Sequence, residues 1–134
     1  MQTEMKSVIQ PVESVSSWKE ARLLITDYFE SPPVVLKIED SIIGTLGNFS
    51  ASTGKAKSKK TFNLCAIVSS ALTNSTVLNY TSFLPIGKHK ILYVDTEQSK
   101  FHCKRVLSRI LQLAGLPLNQ HPKNIEFLSL RGYA

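Results

Sequence analysis

Only two cysteines stand in the 134 residues, Cys65 and Cys103, far apart and without a histidine or cysteine companion at metal-ligand spacing. That excludes a disulfide framework and a zinc cluster as organisers of the fold. Both lie in segments of helical pattern, where a reduced, half-buried thiol is the ordinary outcome. Long apolar runs are missing too. Lysines and Asn/Ser clusters interrupt every stretch well before the ~20 residues of a membrane span. The opening Met1-Gln2-Thr3-Glu4-Met5-Lys6 lacks the short apolar core of a secretion signal. A cytoplasmic chain with no membrane partner is the expectation. No internal repeat is present.

What remains is the composition of one domain or part of one. An apolar fraction of 43% is close to the globular norm and predicts a packed core. The net charge of +6 is compatible with a nucleic-acid partner, but its distribution is more informative than its size. Lys55, Lys57, Lys59 and Lys60 crowd into one loop, where they repel unless an anion sits among them. A nucleoside triphosphate or a nucleic-acid backbone would serve. Lys100, Lys104, Arg105 and Arg109 share a helix and read as a solvated face.

The lysine loop is the chain's strongest local signal. Against the phosphate-binding pattern G-x-x-x-x-G-K-[ST], the stretch Gly54-Lys55-Ala56-Lys57-Ser58-Lys59-Lys60-Thr61 matches at Gly54, Lys60 and Thr61. Lys59 replaces the second glycine, carrying a Cβ into a crowded turn. A tight loop of this kind turns successive N–H groups into a concavity that holds a polyphosphate. Its terminal lysine reaches the β- and γ-phosphates, and the next hydroxyl supplies a magnesium ligand. The pattern needs a strand before it and a helix after it. Ile42 to Phe49 offers the strand and Phe62 to Leu72 a nearly uncharged helix. The competing reading is a Lys/Ser-rich solvated turn between two buried elements.

Elsewhere, residues 1 to 15 show no clear period. Ser17 to Phe29 predicts a helix capped by Ser16 or Ser17, with Trp18 and Tyr28 as core residues, ended by Pro32-Pro33. Val34 to Ile38 is a short strand, and Glu39-Asp40-Ser41 a turn. Thr73 to Pro85 reads as a connector or a hairpin. Ile91-Leu92-Tyr93-Val94 has the all-apolar character of a strand buried on both faces of a parallel sheet. Ser99 caps a helix from Lys100 to Ala114, stopped by Gly115 and Pro117. Ile125 to Leu130 is the last strand. The order strand, loop, helix, strand, helix, strand predicts an α/β fold with a parallel sheet.

In such sheets the site lies at the carboxyl ends of the strands. Asp95 and Glu97 fall there, after Val94. Glu97 is the candidate to polarise a water against a γ-phosphate, and Asp95 to orient backbone groups or the metal shell. The alternative is that Asp95-Thr96-Glu97 only supplies favourable charge to the helix starting near Ser99.

Gly47-Asn48-Phe49-Ser50, the loop from Gly54 to Phe62, and Ile91 to Ser99 together resemble RecA-like P-loop ATPases, in particular the RepA-type replicative-helicase and AAA-family ATPases of plasmids and other mobile elements. Leu128-Ser129-Leu130-Arg131 resembles the segment those proteins carry before their second acidic strand. The resemblance spans roughly residues 34 to 131. It implies ATP and Mg2+ as ligands of Lys60 and Thr61, with Asp95 in the metal shell, a catalytic role for Glu97, and hexameric ring assembly on DNA. The expected organisation is an N-terminal helical segment, residues 1 to 33, then an incomplete RecA-like domain, 34 to 134. The family's strand ending in aspartate would fall after Ala134, so a truncated, weakly active or inactive ATPase is expected. A non-catalytic module gripping nucleic acid through its lysine loop is the alternative, and a remnant that barely folds a third.

Overall fold

The computed structural model describes residues 17–55 and 59–133. The readings made on residues 1 to 16, and on Ala56, Lys57 and Ser58 of the lysine loop, lie outside the described residues. The chain divides into two units, Met1–Ser31 and Pro32–Ala134.

Among the described residues of the first unit, 17–21 alone are helical, which corrects the helix expected as far as Phe29. The Asp27 carboxylate accepts the Leu24 N–H at 2.9 Å, and the Asp27 N–H returns to the Leu24 carbonyl at 2.9 Å. A side chain that captures a nearby amide in this way offers the backbone a turn in place of the helix ladder. β-branched Ile25 and Thr26 resist that poorly. Trp18 and Tyr28 are 56% and 84% exposed, so neither is a core residue.

The second unit is mixed α/β. Its elements are β1 (Val34–Ile38), β2 (Ser41–Thr45), α1 (Lys60–Thr73), β3 (Thr76–Val77), β4 (Tyr80–Ser82), β5 (Ile91–Asp95), α2 (Lys100–Ala114) and β6 (Ile125–Ser129). Four strands form an antiparallel sheet in the order β2-β1-β4-β3, while β5 and β6 pair in parallel. The strand-helix-strand unit β5-α2-β6 is therefore the parallel arrangement that the sequence predicts.

The strand ahead of the lysine loop is not part of it. Only Glu39 and Asp40 separate β1 from β2, and a connection that short permits only antiparallel pairing, because a parallel pair needs a crossover of a dozen or more residues. Glu39 takes the positive φ of 52° that closes the turn. β2 ends at Thr45, and residues 48–55 carry no strand. The undecided stretch from Thr73 to Pro85 is a hairpin, β3 to β4, whose second strand lies inside the sheet.

α1 joins the two sheets. It carries no charge after Lys60, and Cys65, Ala66, Val68, Ser69, Ser70 and Leu72 are all buried, the pattern of a helix covered on several sides. Toward β4, Ser70 Oγ meets Ser82 Oγ at 2.7 Å, both buried. On another side Cys65, Val68 and Leu72 pack with Tyr93, Val106, Ile110, Leu111 and Ile125 into one core. Tyr93 stacks on its register partner Phe127 at 4.4 Å. Both cysteines are free and buried. Burial pushes the Cys65 thiol up, with Arg109 partly opposing it.

β5 is covered on one face only, which corrects the expectation of burial on both. Leu92, Val94 and Leu128 point away from the helices and are 64%, 45% and 37% exposed. Among the described residues no helix is long and apolar enough to cross a membrane.

Candidate phosphate-binding site

Asn124 fixes the direction of α1. Its side-chain N–H2 donates to the Leu72 carbonyl at 3.0 Å and to the His89 carbonyl at 3.5 Å, and its own carbonyl accepts from Ile91 N–H at 2.8 Å. The last turn of α1 thus sits at the amino ends of β5 and β6, and the helix runs antiparallel to them. Cys65 packs in the same core as Tyr93. Thr61 lies one turn earlier, ~6 Å along the axis, and Asp95 two residues beyond Tyr93, ~6.6 Å along the strand. The first turn of α1 and the carboxyl ends of the parallel strands therefore occupy the same edge.

At that first turn the backbone is left open. Lys59 is the N-cap residue in the left-handed region, φ 65° and ψ 22°, and among the described residues no side chain caps the helix. No acidic residue occupies the first turn, so the helix's partial positive charge is not neutralised from within. Left-handed φ is the conformation that glycine adopts freely and other residues adopt at about 1 kcal/mol. The position where the phosphate-binding pattern has its second glycine thus has glycine-like backbone, with lysine in it. Lys60 Nζ donates to the Gly54 carbonyl at 2.6 Å, closing the lysine loop on itself. Lys55 and Lys59 are exposed.

Lys60 and Thr61 line a cleft of about 610 Å³ between the start of α1 and the antiparallel sheet, within the common size range of small-molecule sites. Ser50, Ser52 and Asn63 add polar groups to it, and Leu36, Ile43 and Tyr80 are among its apolar walls. Apart from Ser50, in the stretch Gly47-Asn48-Phe49-Ser50, no motif in the sequence marks these residues. Only the fold of β1 and β4 beneath the loop brings them in.

Asp95 and Glu97 sit at the tip of β5. Asp95 Oδ1 accepts the N–H groups of Glu97 at 2.9 Å and Gln98 at 2.7 Å, and Oδ2 accepts the Gln98 side-chain amide at 3.0 Å. Burial pushes the Asp95 carboxyl up, but these bonds from Gln98 and Glu97 outweigh it and hold the carboxyl below its ordinary value. Asp95 therefore orients the backbone that carries Glu97. Glu97 itself is exposed and does not line the cleft of Lys60 and Thr61. Helix α2 is capped separately, by Ser99 Oγ accepting the His102 N–H at 3.4 Å. Gln98 as a partner of Asp95 was not singled out from the sequence, although the Asp-x-x-Gln spacing is that of a turn bracing itself.

The donor set suits a magnesium polyphosphate: one ammonium, one hydroxyl and the N–H groups of a helix start, beside an apolar wall. Among the described residues no group of three His, Cys, Asp or Glu could hold a metal. Magnesium held mainly by phosphate and water needs little more than the Thr61 hydroxyl from the protein. Comparison with protein-family models, curated proteins and solved structures gives no match.

Proposed function

We propose that this chain is the ATP-binding portion of a RecA-like ATPase of the RepA type, from a replication or mobilisation system of a mobile element, with DNA as its track and a hexameric ring as its assembly. The observation that carries the reading is the start of α1, with no side-chain cap among the described residues and with Lys60 and Thr61 on a cleft against the antiparallel sheet. The antiparallel pairing of β2 gives no support to a RecA-like core. The reading rests on the loop, on α1 and on the β5-α2-β6 unit.

In this reading Lys60 leaves the Gly54 carbonyl and binds the β- and γ-phosphates of ATP, and the N–H groups of Lys60 and Thr61 bind oxygens beside it. Thr61 contributes its hydroxyl to Mg2+, and that ion, when bound, neutralises charge developing on the phosphates. Glu97 orients the attacking water as general base. Asp95 keeps Glu97 in place through its amide. Transfer of this kind depends on positioning and electrostatics, so a solvent-exposed Glu97 gives slow turnover.

The test is binding of a fluorescent ATP analogue to the full chain, with and without Mg2+. Lys60→Ala is expected to weaken binding by roughly 10- to 100-fold, the value of a charge-assisted hydrogen bond. Magnesium-independent binding, or binding untouched by Lys60→Ala, overturns the proposal. If the lysine loop instead grips a nucleic-acid backbone, affinity for an oligonucleotide falls steeply with salt and drops only in part in that variant.

A further inference from the structure

The charges of α2 are placed against its own stability. A helix is stabilised by anions in its first turn and cations in its last. α2 has no acid in the first turn and no base in the last. Its four cations lie at Lys100, Lys104, Arg105 and Arg109, and all are exposed. Lys100 and Lys104 are four residues apart, as are Arg105 and Arg109, and like charges at that spacing repel on a helix surface. No carboxylate stands anywhere in the helix. A face kept merely for solubility gains nothing from this arrangement.

Beside it lies a second cleft, of about 390 Å³, between α2 and the end of β6. Lys100 and Lys104 form its rim, and Leu107, Phe127, Leu130 and Tyr133 give it an apolar body. Among the described residues no acidic side chain lines it. Tyr133 is 73% exposed, and Phe101, on the neighbouring stripe of α2, is 68% exposed. Cations spaced along a surface beside exposed rings are what a single-stranded nucleic acid needs. Phosphates pair with the cations, while bases stack on the rings with little sequence preference.

We propose that α2 and the end of β6 form a binding site for single-stranded nucleic acid, with phosphates on Lys100, Lys104 and Arg105 and one base against Tyr133. This surface is not the lysine loop, and the inference does not rest on ATP binding.

The test is anisotropy of a labelled oligo(dT) and a labelled oligo(U), each of about 20 nucleotides, with the full chain, between about 50 and 200 mM salt. Binding of either one supports the site, and the stronger of the two tells DNA from RNA. The double variant Lys100→Glu/Lys104→Glu is expected to bind at least about ten-fold more weakly and to flatten the log–log salt slope by about 1.4, two single-strand contacts at ~0.7 each. Acid in the first turn favours the helix, so its thermal midpoint should not fall. Should it fall, Lys104→Gln gives the same readout with half the slope change. Tyr133→Ala is expected to lose roughly ten-fold at unchanged slope, as for a lost stacking contact. Lys60→Ala should leave oligonucleotide binding intact, whatever it does to ATP. Four outcomes overturn the site: no binding of either oligonucleotide, wild-type affinity in the charge-reversed variant, loss in Lys60→Ala as large as in that variant, or polyglutamate competing as well as oligo(dT) at equal charge.

Discussion

The two helices of the second unit start in opposite ways. Before α2, four residues follow β5, and side chains of that junction hold three of its amides. Asp95 holds the Glu97 and Gln98 N–H groups, and Ser99 holds that of His102. Before α1 the connection from β2 is long, rich in lysine, and ends on a left-handed Lys59 with no side-chain cap. The same element type, a helix entered from a strand, is self-sufficient in one case and open in the other. Unsatisfied donors at an exposed start are affordable in water, and they are what an anion would use. The junction less suited to stability is the one that leaves donors for an anion.

That contrast breaks most readily at Asp95. Asp95→Ala removes an acceptor of three hydrogen bonds, and a loss of about 1.5 kcal/mol at neutral pH is expected, toward the lower end for charged acceptors because the group is partly solvated. The carboxyl titrates below its ordinary value when folded. Its contribution is therefore full above the ordinary carboxylate range and disappears as pH falls through the lowered folded value. Thermal midpoints of wild type and variant, separate at pH 7, should converge in acid. A gap that stays constant with pH would mean that the carboxylate's charge is irrelevant to the turn. Ser99→Ala acts on the same junction with a smaller effect, about 0.5–1 kcal/mol, since its hydrogen bond of 3.4 Å is long for a cap. Denaturant midpoints resolve a difference of this size.

At Tyr93 the sign is reversed. Burial, then Cys65, Asp95 and Cys103, push its phenol up to about 12. The unfolded chain ionises first, at ~10, so stability is full below that pH and is lost as pH rises toward 12. Tyr93→Phe should remove this alkaline component while keeping the ring on Phe127. A variant as alkali-sensitive as the wild type would place the hydroxyl in water.

Much of the second unit is readable from residues alone. Ser99, Gly115 and the apolar stripe Val106, Ile110 and Leu111 define α2, because cap, stop and period agree there. The uncharged stretch after Thr61 marks α1. What could not be read was which strands share a sheet. Ile42 and Ile43 suit either sheet by composition, and the short turn at Glu39-Asp40 decides it. The first unit misleads for a local reason, since the helical period from Trp18 to Tyr28 ignores the capture of Leu24 by Asp27. In the candidate site, Lys60, Thr61, Asp95 and Glu97 were visible as motifs. The cleft walls were not, because Leu36 and Tyr80 reach it only through pairing between β1 and β4.

The smallest change sharpens the contrast most. Lys59 holds φ 65°, which a lysine adopts at about 1 kcal/mol and a glycine without strain. Lys59→Gly relieves that strain and gives back part of it through the freer unfolded chain, leaving an expected gain of about 0.5 kcal/mol. At Ser99, whose φ is −68°, the same change has no strain to relieve and forfeits a cap, so it should not stabilise. Paired melts of Lys59→Gly and Ser99→Gly thus carry opposite signs if the two helix starts differ as described. Equal signs would mean that Lys59 in solution has left the left-handed region, and with it the backbone turn that opens the start of α1 toward an anion.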